Sequence, residues 1–291
     1  MSRWSGKSKG TVLGYKIFLF LIKTFGVAPA YLLLRFVTFY YYLFAGANRR
    51  AILAFYTDTL KYSLKAAKKL TRKNFFIFGQ TLVDRHAYLV GKGDTFSHSF
   101  NGENYLLEMN EKGKGGILLS AHVGNWETAG NMLKTRVTQK INVLMFDAEV
   151  EKIKQYLDSS TGGSRFNVIP IKNDLSHVIK IKNALDNNEF VAMHADRYMP
   201  DSKTLNLDFL GRKAKFPVGP FLLASKFETP VTFVFAIKES NYHYGLTATK
   251  PKFEKQSVEQ IAKEYVLELE NKVKLNPEQW FNYYNFFDDA N

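Results

Sequence analysis

Cysteine is absent from the 291-residue chain. Its absence excludes disulfides, iron–sulfur clusters, zinc sites built from thiolates and a cysteine nucleophile. Acidic residues are scarce at the start: residues 1–73 hold 14 Lys and Arg against a single acid, Asp58. The remaining residues hold 26 charges of each sign, so the whole net charge of +13 lies in the first quarter. Such a basic excess is typical of proteins that bind nucleic acid or an anionic membrane surface.

The basic residues of this first quarter are interleaved with aromatic and apolar side chains, which favours a membrane over nucleic acid. Residues 11–47 contain eleven aromatics and only three charges, Lys16, Lys23 and Arg35, with a break at residues 26–29. Neither half reaches the ~18 uninterrupted apolar residues of a clean spanning helix. We therefore predict a helical hairpin lying in the interface of an anionic membrane. The alternative is a pair of helices buried in a soluble core.

Charges around the hairpin predict its orientation and its boundary. Basic residues precede and follow it: Arg3, Lys7, Lys9, Arg49 and Arg50. Symmetric flanks place both ends on the cytoplasmic side. No small-residue cleavage site follows the apolar run, so cleavage as a secretory signal is not expected. We predict a membrane anchor over residues 1–48 and one folded domain over residues 49–291, since the chain has no internal repeat and no linker rich in Pro, Gly or Ser.

The predicted secondary structure of the folded domain changes near residue 115. Residues 49–114 are predicted to be largely helical, and short apolar runs alternate with helical segments from residue 115 onward. The predicted strands are 116–121, 141–146, 167–171, 190–194 and 231–237. The predicted helices are 125–134, 149–158, 175–185 and an amphipathic helix over 258–269. This alternation predicts an α/β fold with a largely parallel central sheet flanked by helices.

Polar residues close the first predicted strand, in the sequence SAHVGNWE at residues 120–127. His122 and Glu127 would lie ~140° apart on a continuous helix, so a turn must intervene for them to meet. Gly124 permits the bend and Asn125 is a good N-cap, which puts Glu127 in the first helical turn. We predict a His–Glu dyad in which the carboxylate fixes the imidazole tautomer and the histidine deprotonates a hydroxyl. The alternative is an ordinary strand-end histidine beside a first-turn acid favoured by the helix dipole.

The segment HVGNWE at residues 122–127, with its apolar strand, resembles the HxxxxE block of the lipid A biosynthesis (late) acyltransferases, a branch of the lysophospholipid acyltransferase group. Three further segments resemble blocks of that family in the same order: HADR at 194–197, FLG through FPVGP at 209–220, and NPEQWF at 276–281. The chain departs from the family after the last block. The family commonly continues with His or Tyr and basic residues, whereas residues 282–287 contain no basic residue.

The resemblance covers about residues 10 to 287 and implies an enzyme of the bacterial inner membrane with its catalytic domain on the cytoplasmic side. Such an enzyme moves a fatty acyl group from acyl carrier protein, less often from coenzyme A, to a lipid hydroxyl. No metal or redox cofactor is implied. Asp196 and Arg197 then bind substrate, and the arginine suits a phosphate or an oxyanion. The backbone amides at Gly124 and Asn125 are further candidate oxyanion donors.

The sequence is compatible with several alternatives. The acceptor is expected to be a lipid A-type glycolipid, but the missing basic residues leave room for a phenolic polyene or resorcinol pigment lipid. A basic membrane-surface protein that kept the fold without the chemistry is the non-enzyme alternative. Asp196 and Arg197 could also be a simple loop ion pair. The expected partners are the acidic carrier protein, the lipid acceptor and an anionic membrane surface, without nucleic acid.

Overall fold

A computed structural model of the protein describes residues 12–133, 137, 139–146, 167–172, 174–199 and 202–287. The helices are α1 (Val12–Phe25), α2 (Val27–Phe44), α3 (Gly46–Ala54), α4 (Leu64–Leu89), α5 (Glu103–Glu111), α6 (Trp126–Leu133), α7 (Ser176–Asp186), α8 (Val218–Phe227) and α9 (Val258–Leu275). The strands are β1 (Ser97–Asn101), β2 (Gly116–Ser120), β3 (Ile141–Phe146), β4 (Asn167–Ile171), β5 (Phe190–His194), β6 (Thr204–Phe209), β7 (Arg212–Pro217), β8 (Val231–Lys238) and β9 (His243–Ala248). The predicted helix 149–158 and the basic residues Arg3, Lys7 and Lys9 lie outside the described residues.

The described ranges form a seven-stranded central sheet in the order β1-β9-β8-β2-β5-β3-β4. Neighbouring strands run parallel except for β8 and β9, which are antiparallel. Strands β6 and β7 form a separate antiparallel ribbon. The predicted α/β fold with a largely parallel sheet is confirmed.

Helices cover both faces of the sheet. Ile117 and Leu119 of β2 pack into one core with residues of α7, α8 and α9. Leu118, which points to the opposite face, packs into a second core with residues of α1, α2, α4, α5 and α6. Every residue of β2 is buried, which explains its unbroken apolar sequence.

The N-terminal helices form the predicted hairpin. Gly26 has a φ of +85° and separates α1 from α2. Pro29 lies in the first turn of α2, where its missing N–H leaves no helical hydrogen bond unmade. One face of α2 packs on α4, where the Leu34 side chain lies so close to Gly79 that a Cβ there would be 2.7 Å from it.

The other face of the hairpin is apolar and exposed. Its most exposed large side chains are Leu13, Phe20, Phe25, Leu32, Phe36, Phe39, Tyr40 and Phe44. Helix α2 is, within the described chain, the one helix both long and apolar enough to cross a membrane. Exposed apolar side chains in such number are unusual for a face that meets water. The boundary of the anchor at residue 48 stays a prediction.

Four strands are additional to the predicted ones: β1, β6, β7 and β9. Their sequences mix polar with apolar residues because each leaves part of its surface exposed, as in the β1 sequence SHSFN. The FLG block at residues 209–211 forms the tip of the β6–β7 hairpin. Helix α8 follows at Val218.

Candidate active site

The carboxyl ends of two neighbouring strands bring the first two sequence blocks together. Strands β2 and β5 are parallel, and Ser120 at the end of β2 pairs in register with His194 at the end of β5. His122 and Asp196 therefore each follow their strand end by two residues. Ligand sites of open α/β sheets lie at this edge.

His122 is held by Asp196. The imidazole Nδ1 lies 2.7 Å from Oδ1 of the aspartate, and the backbone amide of His122 donates to Oδ2 at 2.9 Å. The aspartate side chain is 1% exposed, whereas the histidine side chain is 22% exposed. The pair thus has a buried carboxylate behind an imidazole that reaches the surface.

Electrostatics fix the tautomer of this imidazole. Burial acts to raise the pKa of Asp196, but the charge and hydrogen bond of His122 and the charge of Arg197 outweigh it and hold that pKa well below its usual value. An ionised carboxylate only accepts hydrogen bonds, so the neutral imidazole carries its proton on Nδ1 and its lone pair on Nε2. Burial, together with the positive charge of Arg197, lowers the pKa of His122 below its usual 6.5. These conditions suit a general base.

The predicted hydrogen bond between Glu127 and the imidazole is wrong. Glu127 lies in the first turn of α6 as expected, but its Oε2 accepts from Nη1 of Arg85 on α4 at 2.6 Å. Its negative charge still acts to raise the pKa of His122. Asp196 takes the place that sequence spacing had given to Glu127, and a catalytic role for the glutamate stays a prediction.

The bend between His122 and α6 is built as expected. Gly124 has a φ of +71°, and a Cβ at this position would lie 1.9 Å from the carbonyl oxygen of Ala236. The Asn125 side chain caps α6 by accepting from the backbone amide of Thr128 at 3.3 Å. Glycine is therefore required here on two grounds, the left-handed backbone and the close approach of β8.

The backbone amides of Gly124 and Asn125 are not open to a substrate. Gly124 N donates to Gln279 O at 2.9 Å, and Asn125 N donates to Ala236 O at 2.8 Å. Asn125 is buried, and its side-chain amide donates to the carbonyl of Thr81 at 3.3 Å. This arrangement differs from the predicted one, in which these groups face an oxyanion.

The PEQW block, residues 277–280, packs against the site together with Phe281. The carbonyl of Gln279 accepts a hydrogen bond from the amide of Gly124, and the amide of Phe281 donates to the carbonyl of His122 at 2.9 Å. Arg197 joins the same segment, because its Nη2 donates to the carbonyl of Phe281 at 2.6 Å. The C-terminal block therefore fixes the backbone that follows the imidazole, at the His122 carbonyl and the Gly124 amide. Substrate binding by Arg197 stays a prediction.

A buried polar cluster lies behind the bend. Nζ of Lys238 on β8 is 2.5 Å from Oδ2 of Asp84 on α4, and both side chains are at most 2% exposed. The hydroxyls of Tyr31 on α2 and Tyr244 on β9 also donate to this carboxylate. Tyr244 in turn accepts from Nδ2 of Asn125 at 3.1 Å, which links the N-terminal hairpin to the site. No local sequence signal pointed to this cluster.

Sequence reasoning also assigned no role to His194. Its ring centroid lies 4.3 Å from that of His122, and 4.8 Å from that of Trp126 in an edge-on contact. Two surface cavities of the described residues lie elsewhere: one is lined by Gly113, Lys114, Lys182, Leu185, Asp186, Phe227, Glu228 and Thr229, and the other by Thr59, Leu60, Tyr62, Leu210, Gly211, Glu270 and Lys274. The predicted apolar slot for an acyl chain therefore stays a prediction.

Comparison with known proteins identifies one family. Residues 63–287, more than three quarters of the chain, match the family model described as bacterial lipid A biosynthesis acyltransferase. The match includes all four blocks singled out in the sequence. No curated protein matches the chain.

Proposed function

The chain belongs to the bacterial lipid A biosynthesis acyltransferase family, and from this premise we propose that it transfers a fatty acyl group from the thioester of an acyl carrier protein to a hydroxyl of a lipid A-type glycolipid. Coenzyme A is the alternative thioester. The observation that best supports the proposal is the imidazole of His122, bound through Nδ1 to a buried carboxylate and partly exposed at the ligand-binding edge of the sheet.

Nε2 of His122 is the proposed general base. It takes the proton of the acceptor hydroxyl as the hydroxyl oxygen attacks the thioester carbonyl carbon. The tetrahedral intermediate then expels the thiolate, which receives the proton from the imidazolium, so the products are an ester and a free thiol. A thioester is already activated for acyl transfer, and these steps use no metal or redox cofactor.

The two carboxylates have different roles in this proposal. Asp196 orients the ring and stabilises the imidazolium, as a buried aspartate does in serine hydrolases. Glu127 adds negative charge near the imidazole and anchors Arg85, a cation beside the site. Arg197 supplies a second cation, suited to a phosphate group of the donor or acceptor.

We further propose that the exposed apolar face of α1 and α2 rests in the cytoplasmic leaflet of the bacterial inner membrane. Phe36 is 70% exposed and Phe39 is 58% exposed. The basic side chains that follow the hairpin, among them Lys65, Lys68 and Lys69 on α4, are exposed and suited to anionic headgroups or to an acidic carrier protein. A lipid acceptor would then reach His122 without leaving the membrane.

A pigment-type lipid is the second candidate acceptor. The chain lacks basic residues after the PEQW block, and Tyr283 and Tyr284 stand in the segment where the family commonly has them. Fewer cations favour an acceptor with fewer phosphates. The lipid extract of a deletion strain separates the two, since lipid A loses one acyl chain in one case and a pigment lipid is lost in the other.

The test of acyl transfer uses the full chain in detergent or in anionic vesicles, with fatty acyl carrier protein as donor and a lipid A precursor or pigment alcohol as acceptor. His122→Ala should lower turnover by about 10²–10⁴-fold, the usual worth of a general base. The matched control is His243→Ala, a partly exposed histidine on β9 bound to Ser97. Near-normal turnover in His122→Ala, or no transfer by the wild-type protein to either acceptor, would contradict the proposal.

A further inference from the structure

His194 is the one imidazole beside His122 within the described chain, and the steps above give it no task. It ends β5, directly across from Ser120. Its ring is tilted 58° to that of His122 with the centroids 4.3 Å apart, and Trp126 meets it edge-on. The residue is half-buried.

Acyl transfer needs a donor for the oxyanion of the tetrahedral intermediate. The two amides of the bend that were candidates, those of Gly124 and Asn125, do not supply one, because they donate to Gln279 O and Ala236 O. The amide of His122 donates to Asp196. These three backbone donors are thus engaged inside the protein.

We propose that His194 is a catalytic residue that donates its ring N–H to the thioester carbonyl oxygen and stabilises the oxyanion formed there. This inference rests on the acyltransferase function proposed above. As the acceptor oxygen bonds to the carbonyl carbon, the π electrons of the carbonyl move to its oxygen, and the N–H of His194 meets that charge. The bond re-forms as the thiolate leaves, and His194 keeps its proton throughout.

The protonation state of His194 suits this task. Burial and the neighbouring charge of His122 lower its pKa well below the usual value, so the ring is neutral while His122 acts as base. A neutral imidazole has one N–H and is an effective electrophile toward a carbonyl oxygen. Packing between His122 and Trp126 holds the ring in place, which limits the reorganisation needed during the reaction.

Two substitutions separate hydrogen bonding from packing. His194→Phe keeps a ring against Trp126 but removes the N–H, whereas His194→Gln keeps an N–H donor and loses the ring. We expect His194→Phe to lower kcat by about 10²–10³-fold, the usual cost of one oxyanion donor, with the KM for the thioester within about threefold. His194→Gln should recover at least about a tenth of wild-type kcat. His243→Phe is the control for replacing a histidine away from the site.

The outcomes are distinct. If the folded His194→Phe variant keeps near-normal kcat, or if His194→Gln is as slow as His194→Phe, the inference is overturned and the acyltransferase function stands. If wild-type protein transfers no acyl group, the function itself fails and the inference fails with it. Thermal unfolding of each variant reports folding. Should His194→Phe not fold, His194→Ala is compared with His194→Gln on the same criteria.

Discussion

Nδ1 of His122 lies 2.7 Å from Oδ1 of Asp196, although the two residues are 74 positions apart in the chain. The nearer carboxylate in sequence, Glu127, is bound to Arg85. The two acids therefore act on the imidazole in different ways. One holds it by hydrogen bonds and charge, and the other acts by charge alone.

Asp196→Asn should be more damaging than Glu127→Gln. In the proposed mechanism the aspartate fixes the tautomer and stabilises the imidazolium, so its replacement is expected to lower kcat/KM by about 10²–10⁴-fold. Glu127→Gln leaves the tautomer of His122 unchanged, so the fall in kcat/KM should be smaller for this variant. Steady-state kinetics of the two variants check the order, and the reverse order would indicate that Glu127 is the principal partner of the base.

The pH profile should follow the charges around His122. In the proposed mechanism His122 works unprotonated, so kcat/KM falls as the pH drops through the pKa of His122, which burial and the charge of Arg197 keep below 6.5. Asp196 acts to raise this pKa, so Asp196→Asn moves the acidic limb to lower pH. Arg197 acts to lower it, so Arg197→Gln moves the limb to higher pH. Shifts in the same direction for both variants would contradict this assignment.

Gly124→Ala should disrupt the site far more than Gly113→Ala. Both glycines have a positive φ, at +71° and +67°, so both substitutions carry a backbone penalty of about 1–2 kcal/mol. At Gly124 the added Cβ would clash with Ala236 O, which would lie 1.9 Å from it. At Gly113 the added Cβ would have no other atom within 4 Å. Loss of transfer and a lower unfolding temperature are expected for Gly124→Ala. Equal effects at the two positions would rule out the close approach of β8.

Lys238→Met should destabilise the protein strongly, because it leaves the buried carboxylate of Asp84 without its cation. Removing one partner of a buried pair costs about 3–5 kcal/mol in the free energy of unfolding. Lys182→Met is the matched control, since its pair with Asp186 is more than half exposed and is expected to contribute less than about 0.5 kcal/mol. Denaturant unfolding in detergent measures both. Similar values for the two variants would contradict the role of the buried cluster.

Phe36→Glu should weaken membrane binding without unfolding the protein. The side chain is 70% exposed in the protein, so no core contact is lost. In the proposed membrane contact Phe36 lies in the lipid interface, so replacing its apolar ring with a carboxylate should lower partitioning into anionic vesicles by about tenfold or more. Leu267→Glu on α9, at a position 63% exposed, serves as the control. Vesicle co-sedimentation gives the partition coefficients. Unchanged binding of Phe36→Glu would place the membrane contact elsewhere.

The sequence by itself determined several strands of the sheet and the bend. Strands β3, β4 and β5 were predicted to the residue, because each is a short, mainly apolar run. The bend after His122 was equally local, since a glycine and a capping asparagine in succession specify it. The ribbon β6–β7 and the edge strand β1 were missed because their exposed faces admit polar residues that local patterns do not distinguish from loops.

Only the tertiary structure decided which carboxylate holds the imidazole. That contact depends on the register of β2 against β5, which places His122 beside Asp196. It depends also on Arg85 of α4, which binds Glu127. The spacing of residues in the sequence predicts which side chains can meet within one helix or strand. Partners contributed by different elements are fixed by the packing of sheet and helices, because a hydrogen bond forms between whichever groups the fold brings within about 3 Å.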